Sequence, residues 1–389
     1  MRIAIFSETY LPDINGVATH IKLLKEGLEN LGHEVLVVTA DAKSRRHYTQ
    51  GDVLHCPAIA AKKIYNYGLA SPLSFKRLRI LRKFNPDIIH IHQEFGVGLS
   101  GALIAKVLRK PLVYTLHTMY DDYIYYVAPQ PIVPIVRNIS HGYFKLLAKN
   151  ATALTGPSEK VAEYFRKVGV KTPVNVIPNP VELDIFRPDA IDQEKKHAFR
   201  ERYQIPEDAT VACFCGRLGK EKSLDTALDY WAKTVSPEDN LRYVIIGDGP
   251  DRDELKEQAK RLGIADQIIF TGKVPHDEVP PYYAGCDVYL TASLTEMHSI
   301  SMLEAMATGL PVLTIYDPLN ASQITEGVNG YIFRTPEEMH QLLTKFHAMP
   351  REEFEAFRKG VRDSVEQSGA EDLAQYLLDI YAGVYKKRA

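Results

Sequence analysis

The sequence predicts a doubly wound α/β fold used twice, followed by a helical segment. Three observations carry this prediction. Short, continuously apolar runs alternate with helical patterns through the first 180 residues. The alternation starts again near residue 210. From residue 336 onward the chain reads as helices without strands. Unbroken Val/Ile/Leu runs are what strands become when helices cover both faces of a parallel sheet. The 389 residues are 45% hydrophobic and 25% charged, enough chain for two domains of ordinary size.

The elements follow in order. Ile3-Ala4-Ile5-Phe6 is the first expected strand. Residues 18–31 form a helix with Ile21, Leu24 and Leu28 on one face, and Gly32 stops it. Residues 35–38, 88–91 and 112–115 are further strands, with a helix near 98–108 before the last. A Pro-rich linker is expected near 179–195. The second half gives strands at 211–214, 243–246, 268–271, 287–290 and 311–315. Helices are expected at 223–233, 252–262 and 299–308. Residues 336–348, 351–368 and 371–386 read as three helices, which either finish the second domain or cross back to the first. The expected domains are 1–180 and 181–360, with a C-terminal helical segment over 361–389 that returns toward the first domain.

Composition excludes several classes. High apolar content with a net charge of -2 is not a disordered chain. Four cysteines make no disulfide scaffold, and no spacing resembles a zinc site. The first apolar run is too short for a signal peptide, and no stretch is long enough to span a membrane. A cytoplasmic location is expected, with attachment to a membrane surface still open. The charge is uneven: residues 1–180 hold 23 Lys/Arg against 13 Asp/Glu (+10), and the remainder holds 24 against 36 (-12). A basic half beside an acidic one points to different partners, with nucleic acid or an anionic membrane open for the basic half. Solubility or domain contact is the plain alternative.

Three features sit where strands deliver ligand sites. Pro12-Asp13-Ile14-Asn15-Gly16-Val17 follows the first strand; Gly16 admits close backbone approach, and the N-terminus of the following helix would then meet an anion. A plain turn is the alternative. Cys215-Gly216-Arg217-Leu218-Gly219-Lys220-Glu221-Lys222-Ser223 follows a strand and opens a helix. Its Arg217 and Lys222 can straddle a phosphate, or else form a solvated loop. Neither segment has the glycine spacing of a dinucleotide fingerprint or a P-loop. Third, Glu296 and Glu304 lie eight residues apart across a strand-to-helix loop, and carboxylates there accept hydrogen bonds from sugar hydroxyls.

Glu296-x7-Glu304 followed by Ala305-Met306-Ala307-x-Gly309-x-Pro311 resembles the signature of the retaining family 4 glycosyltransferases, which have the GT-B fold. Gly216-Arg217-Leu218 with Glu221-Lys222-Ser223-Leu224-Asp225 is similar to that family's diphosphate-binding motif. Gly247-Asp248-Gly249-Pro250 and Pro12-x-x-Asn15-Gly16 are similar to two of its turns. The resemblance spans nearly the whole chain, with motifs in the family's order.

It implies two Rossmann-like domains facing across a cleft. It also implies a nucleoside diphosphate sugar as donor, UDP-glucose being favoured, and no required cofactor or metal. Gly16 would approach the diphosphate through its backbone. Arg217 and Lys222 would neutralise charge on the leaving group. Glu296 would hold hexose hydroxyls and Glu304 the ribose. Ser299 and Ile300 would lie at the donor. Ser299 stands where many members have Gly, and its N–H remains available in principle. His117 would position the sugar, and Asn179 would hold a turn. Asp251-Arg252-Asp253 looks like a metal-binding Asp-x-Asp, but a helix N-terminus explains it better.

The stretch His117-Thr118-Met119-Tyr120-Asp121-Asp122-Tyr123-Ile124-Tyr125-Tyr126 is similar to bacterial diacylglycerol glucosyltransferases of the same family. Clustered tyrosines suit a membrane interface, and equally an ordinary core. Residues 72–84 form a basic, partly amphipathic helix. It either lies on anionic lipid or packs Leu78, Leu81 and Phe84 inward with its charges in water. Residues 139–149 are ambiguous in the same way. The resemblance thus implies a lipid acceptor, an α-monoglycosyl diacylglycerol product and a peripheral place on the inner membrane face. Rival readings are a same-fold enzyme acting on a soluble sugar, phosphatidylinositol or a polysaccharide precursor, and a non-catalytic nucleotide-sugar or nucleic-acid binder. No RNA or DNA-reading module is recognisable, which argues against nucleic acid.

Overall fold

A computed structural model describes residues 1–13, 15–61, 67–122, 124, 130–318 and 321–386. Tyr123, Tyr125 and Tyr126 of the tyrosine-rich stretch lie outside the described residues, as does Ile14. The chain forms two compact units: Met1–Pro180 together with the chain from Gly369 onward, and Val181–Ser368.

The first unit holds a sheet built on β1 (Arg2–Ser7), β2 (Glu34–Asp41), β3 (Tyr48–Gln50), β4 (Val53–Ala61) and β5 (Tyr67–Ala70). β6 (Ile88–Ile91), β7 (Leu112–Thr115), β8 (Ala153–Gly156) and β9 (Val174–Val176) complete it. The order is β3-β4-β2-β1-β6-β7-β8-β9, with β5 paired to β4. All pairings are parallel except those of β3 and β5 with β4. The order reverses at β1, whose carboxyl end is the switch point where such sheets bind ligands. Its helices include α1 (Gly16–Asn30), α2 (Phe75–Phe84), α3 (Gly96–Leu108), α4 (Val133–Asn150) and α5 (Glu159–Lys167). Asn15 caps α1, its Oδ1 accepting the Ala18 N–H at 2.9 Å.

α2 corrects one expectation. Arg77 does not sit in water with its neighbours: it is 1% exposed, donating to Cys56 Sγ at 3.2 Å and to the Ser71 carbonyl at 3.1 Å. Leu81 is buried beside it, while Leu78 and Phe84 are half-buried and Phe75 is 93% exposed. The long Arg stem packs inward and its fork finds partners there.

The second unit has a parallel sheet of β10 (Thr210–Cys215), β11 (Leu241–Ile246), β12 (Ile268–Gly272), β13 (Val288–Thr291), β14 (Val312–Ile315) and β15 (Gly330–Phe333). Its order is β12-β11-β10-β13-β14-β15, again reversing at the first strand. The helices are α6 (Gln193–Arg202), α7 (Leu224–Thr234), α8 (Arg252–Arg261), α9 (Pro280–Ala284), α10 (Ile300–Ala307), α11 (Pro336–His347) and α12 (Arg351–Asp363). Trp231, Tyr243, Val244, Ile245 and Leu290 are among its fully buried side chains.

The last helix, α13 (Ala370–Lys386), belongs to the first unit and lies along α1. Leu373, Leu377 and Tyr381 join Ile21, Leu24, Leu28, Ile3 and Ile5 in one core. The crossing is close at Gly27, where a β-carbon would stand 2.1 Å from the Ala370 carbonyl oxygen. Among the described residues no helix is long and apolar enough to cross a membrane.

Candidate active site

In the second unit, β10 leads into the turn 216–219, which is welded to the turn after β11. Leu218 N–H donates to the Asp248 carbonyl at 3.0 Å, and Asp251 N–H donates to the Leu218 carbonyl at 3.1 Å. Gly247 makes this approach possible: a β-carbon there would stand 1.9 Å from the Gly216 carbonyl oxygen. Asp251 takes the N-cap position of α8 without a capping bond, and Asp253 lies in the first turn.

Arg217 pairs with the buried Glu221, and Lys222 Nζ donates to Glu296 Oε1 at 2.6 Å. The Glu221 carbonyl accepts hydroxyls from Ser293 (3.2 Å) and Thr295 (2.8 Å). Those two bonds fix the β13–α10 loop, and with it Glu296, against the loop that bears Lys222. Glu304 is buried. Its Oε1 meets His276 Nε2 at 2.7 Å, and its Oε2 accepts the Tyr283 hydroxyl at 3.4 Å. On the other side of its ring, His276 faces Glu182 at 3.6 Å.

Ser299 is the N-cap of α10, its hydroxyl accepting the Met302 N–H at 3.4 Å. Its φ of -72° requires no glycine. The Ser299 N–H is engaged: it donates to Gln323 Oε1 at 3.1 Å, and Gln323 Nε2 donates back to the Ser299 carbonyl at 3.0 Å. Ile300 is the first residue of α10. The second unit thus brings together Arg217, Lys222, Glu296, Ser299, Ile300 and Glu304 at the carboxyl ends of β10 and β13.

Gly16 and His117 are in the first unit. Gly16 opens α1, so its backbone lies at a helix N-terminus. His117 follows β7 in a histidine cluster. His92 Nδ1 and His117 Nε2 are 2.9 Å apart. His20 meets His117 edge-on at 4.7 Å between ring centroids and holds Asn179 Oδ1 at 3.0 Å. His20, His92 and His117 each offer one ligand-type atom within 4.8 Å of the others. Burial pushes all three pKa values down, that of His20 to about 4. Nearby, Glu94 is fully buried under Tyr114, whose hydroxyl donates to it at 3.0 Å, and under Tyr120. Burial drives its pKa up to about 8.

Comparison with known proteins gives the family. The family described as "Glycosyltransferase Family 4" matches residues 14–185, and "Glycosyl transferases group 1" matches residues 195–363. The α-monoglucosyldiacylglycerol synthase of Acholeplasma laidlawii is 34% identical over 90% of this chain and 89% of its own length. The chain belongs to the family 4 glycosyltransferases. The enzyme of the same name from Streptococcus pneumoniae is 32% identical over 86% of this chain and 75% of its own. The crystal structure of HepE from Anabaena in complex with UDP superposes with a TM-score of 0.74 at 17% identity, covering 98% and 99% of the two chains. That likeness shows the fold, GT-B.

As a family 4 glycosyltransferase the chain is an enzyme that moves a sugar from a nucleoside diphosphate sugar to an acceptor. Sequence reasoning missed His276, Gln323, His20 and His92. His92 had a signal: Ile88-Ile89-His90-Ile91-His92 places two histidines on one face of an apolar strand. His276 and Gln323 had none, because each comes from a turn remote in sequence from the residue it holds.

Proposed function

We propose that this enzyme transfers glucose from UDP-glucose to diacylglycerol with retention, making an α-monoglucosyl diacylglycerol. The observation that carries the donor half is the 2.6 Å contact between Lys222 Nζ and Glu296 Oε1. It pre-assembles a cation suited to phosphate beside a carboxylate suited to sugar hydroxyls. In this reading the donor separates them. Lys222 and Arg217 turn to the diphosphate and stabilise its departing charge, which is why no metal or other cofactor is invoked. Glu296 takes hexose hydroxyls and Glu304 the ribose. Ile300 offers the first turn of α10, while the Ser299 amide stays with Gln323. Gly16 meets the diphosphate through its backbone, and His117 positions the sugar. Residues 1–180 carry the acceptor and 181–360 the nucleotide sugar.

The acceptor half draws on the two relatives whose names specify monoglucosyldiacylglycerol synthesis. It also draws on apolar side chains left in water beside basic ones. Leu73 and Phe75 are exposed next to Lys76, Arg79, Arg82 and Lys83. Ile135, Ile139 and Leu146 are exposed on α4 near Arg137 and Lys145. Such surfaces suit peripheral attachment to an anionic leaflet.

One experiment tests both halves. A panel of nucleotide sugars is offered with diacylglycerol in anionic vesicles and with soluble sugars, and products are identified by mass. Glucosyl diacylglycerol from UDP-glucose is expected, with vesicle binding at low salt that is released at high salt. Product from soluble acceptors alone, with no vesicle binding at any salt, overturns the acceptor half.

A further inference from the structure

We infer that His92 is a positioning residue that fixes the tautomer of His117, so that His117 presents an N–H donor at Nδ1 to the substrate and holds no lone pair there. This rests on the reading of His117 as a sugar-positioning group and extends it to a residue in the layer beneath.

The inference comes from counting hydrogens. A neutral imidazole has one N–H and one lone pair, and the partner of one nitrogen sets the other. Between His92 Nδ1 and His117 Nε2, 2.9 Å apart, one nitrogen donates and the other accepts. The far nitrogen of His92, Nε2, is buried and makes no hydrogen bond among the described residues. Were His92 the acceptor, its hydrogen would sit on that nitrogen as a buried N–H without a partner. A buried acceptor without a partner is the milder defect. His92 therefore carries its hydrogen on Nδ1 and donates it. His117 accepts at Nε2, and its own hydrogen is left on Nδ1.

His20 repeats the pattern. Its Nδ1 faces the Asn179 carboxamide oxygen at 3.0 Å and so bears the hydrogen, while its buried Nε2 makes no hydrogen bond among the described residues. Both buried, partnerless nitrogens are then lone pairs. His90 is accounted for at both ends, with the Tyr381 hydroxyl at 2.6 Å from Nδ1 and the Thr115 hydroxyl at 2.6 Å from Nε2. Burial, with neighbouring imidazoles as the next cause, keeps His92 and His117 neutral at pH 7. The 2.9 Å approach of His92 and His117 is a hydrogen bond and leaves no room for an ion between those two nitrogens.

A donor at His117 Nδ1 recognises an oxygen lone pair, on a sugar hydroxyl or a phosphate, and cannot take a proton from an acceptor hydroxyl. His117 thus orients and does not act as a base.

The test reads the tautomer directly. Full-length protein with ¹⁵N-labelled histidine is examined by long-range ¹H–¹⁵N correlation at pH 7.5, without substrate. His117 is expected as the Nδ1–H form. In His92→Leu the constraint is removed, so His117 should shift to Nε2–H, with kcat lower by roughly tenfold, the worth of one placed hydrogen bond. His92→Gln, whose amide can donate to Nε2, should restore the Nδ1–H form and most of the lost kcat. Three results overturn the inference: His117 found as Nε2–H in the unaltered protein, a tautomer that changes on adding EDTA, or equal loss in both variants with the tautomer unmoved. The spectra need neither donor nor acceptor, so failure of the diacylglycerol reading leaves this result readable.

Discussion

Lys222 and Arg217 each hold a carboxylate before any substrate arrives, Glu296 and Glu221 respectively. These two cations are therefore neutralised at rest, which leaves the exposed Lys220 as the loop's net positive charge; in the proposed reading, phosphate must win Lys222 from Glu296. Lys222→Gln is expected to lower kcat by roughly 10²–10³, as loss of one preorganised charge at a developing anion does. Its thermal midpoint should stay close to the parent's, since the pair is partly exposed and such pairs add little stability. Turnover equal to the parent's would remove Lys222 from the leaving-group role. Glu296, Glu304, Arg217 and Lys222 were legible because motif spacing is local. Their restraints were not: Glu221 acts through its backbone carbonyl, and Gln323 and His276 arrive from distant turns. No pattern of residue types announces a contact made across so much chain.

At the scale of elements, β1, β2, β6, β7 and β10 to β14 were readable because each contains a short, largely apolar run. β3, β4, β5, β8, β9 and β15 were not. Tyr48–Gln50 is exposed throughout and sits at the edge of its sheet, where nothing demands an apolar sequence. The amphipathic face of α1 was visible, but not what covers it. Gly27 shows what the fit requires, since α13 crosses within reach of a β-carbon at that position. Gly27→Ala is expected to destabilise the first unit by roughly 1–3 kcal/mol, the usual penalty of overpacking. Differential scanning measures the loss, and limited proteolysis should show faster cutting near residues 364–369. An unchanged midpoint would mean that α13 shifts aside at no cost.

For the whole molecule, buried titratable groups in the first unit set opposite limits on pH. The His20 pKa falls from the usual 6.5 to about 4 by burial, so its contribution is intact above 6.5 and is lost as pH drops through 4. His90, His92 and His117 are lowered too and act in the same direction. Glu94 is raised from 4.5 to about 8, so its contribution is intact below 4.5 and is lost as pH rises through 8. With the histidines in the majority, thermal stability should rise from pH 4 to a maximum near 6.5, then decline toward 8. Burial raises the Glu8 pKa as well, so Glu94→Gln should reduce the alkaline decline without abolishing it. A profile level between pH 6.5 and 8.5 in the parent would show that Glu94 ionises freely.

The return of α13 also bears on how the polypeptide is made. Residues 1–180 leave the ribosome before residues 181–368, yet the helix that covers Ile21, Leu24 and Leu28 emerges only after both. During the synthesis of roughly two hundred intervening residues, tens of seconds at ordinary elongation rates, that apolar stripe has the sheet of its own unit beneath it but lacks the cover that α13 supplies. A nascent chain stalled before residue 370 would present the stripe to chaperones and to other unfinished copies. Of the two units, the one begun earlier is completed only after the other has been made and has had time to fold.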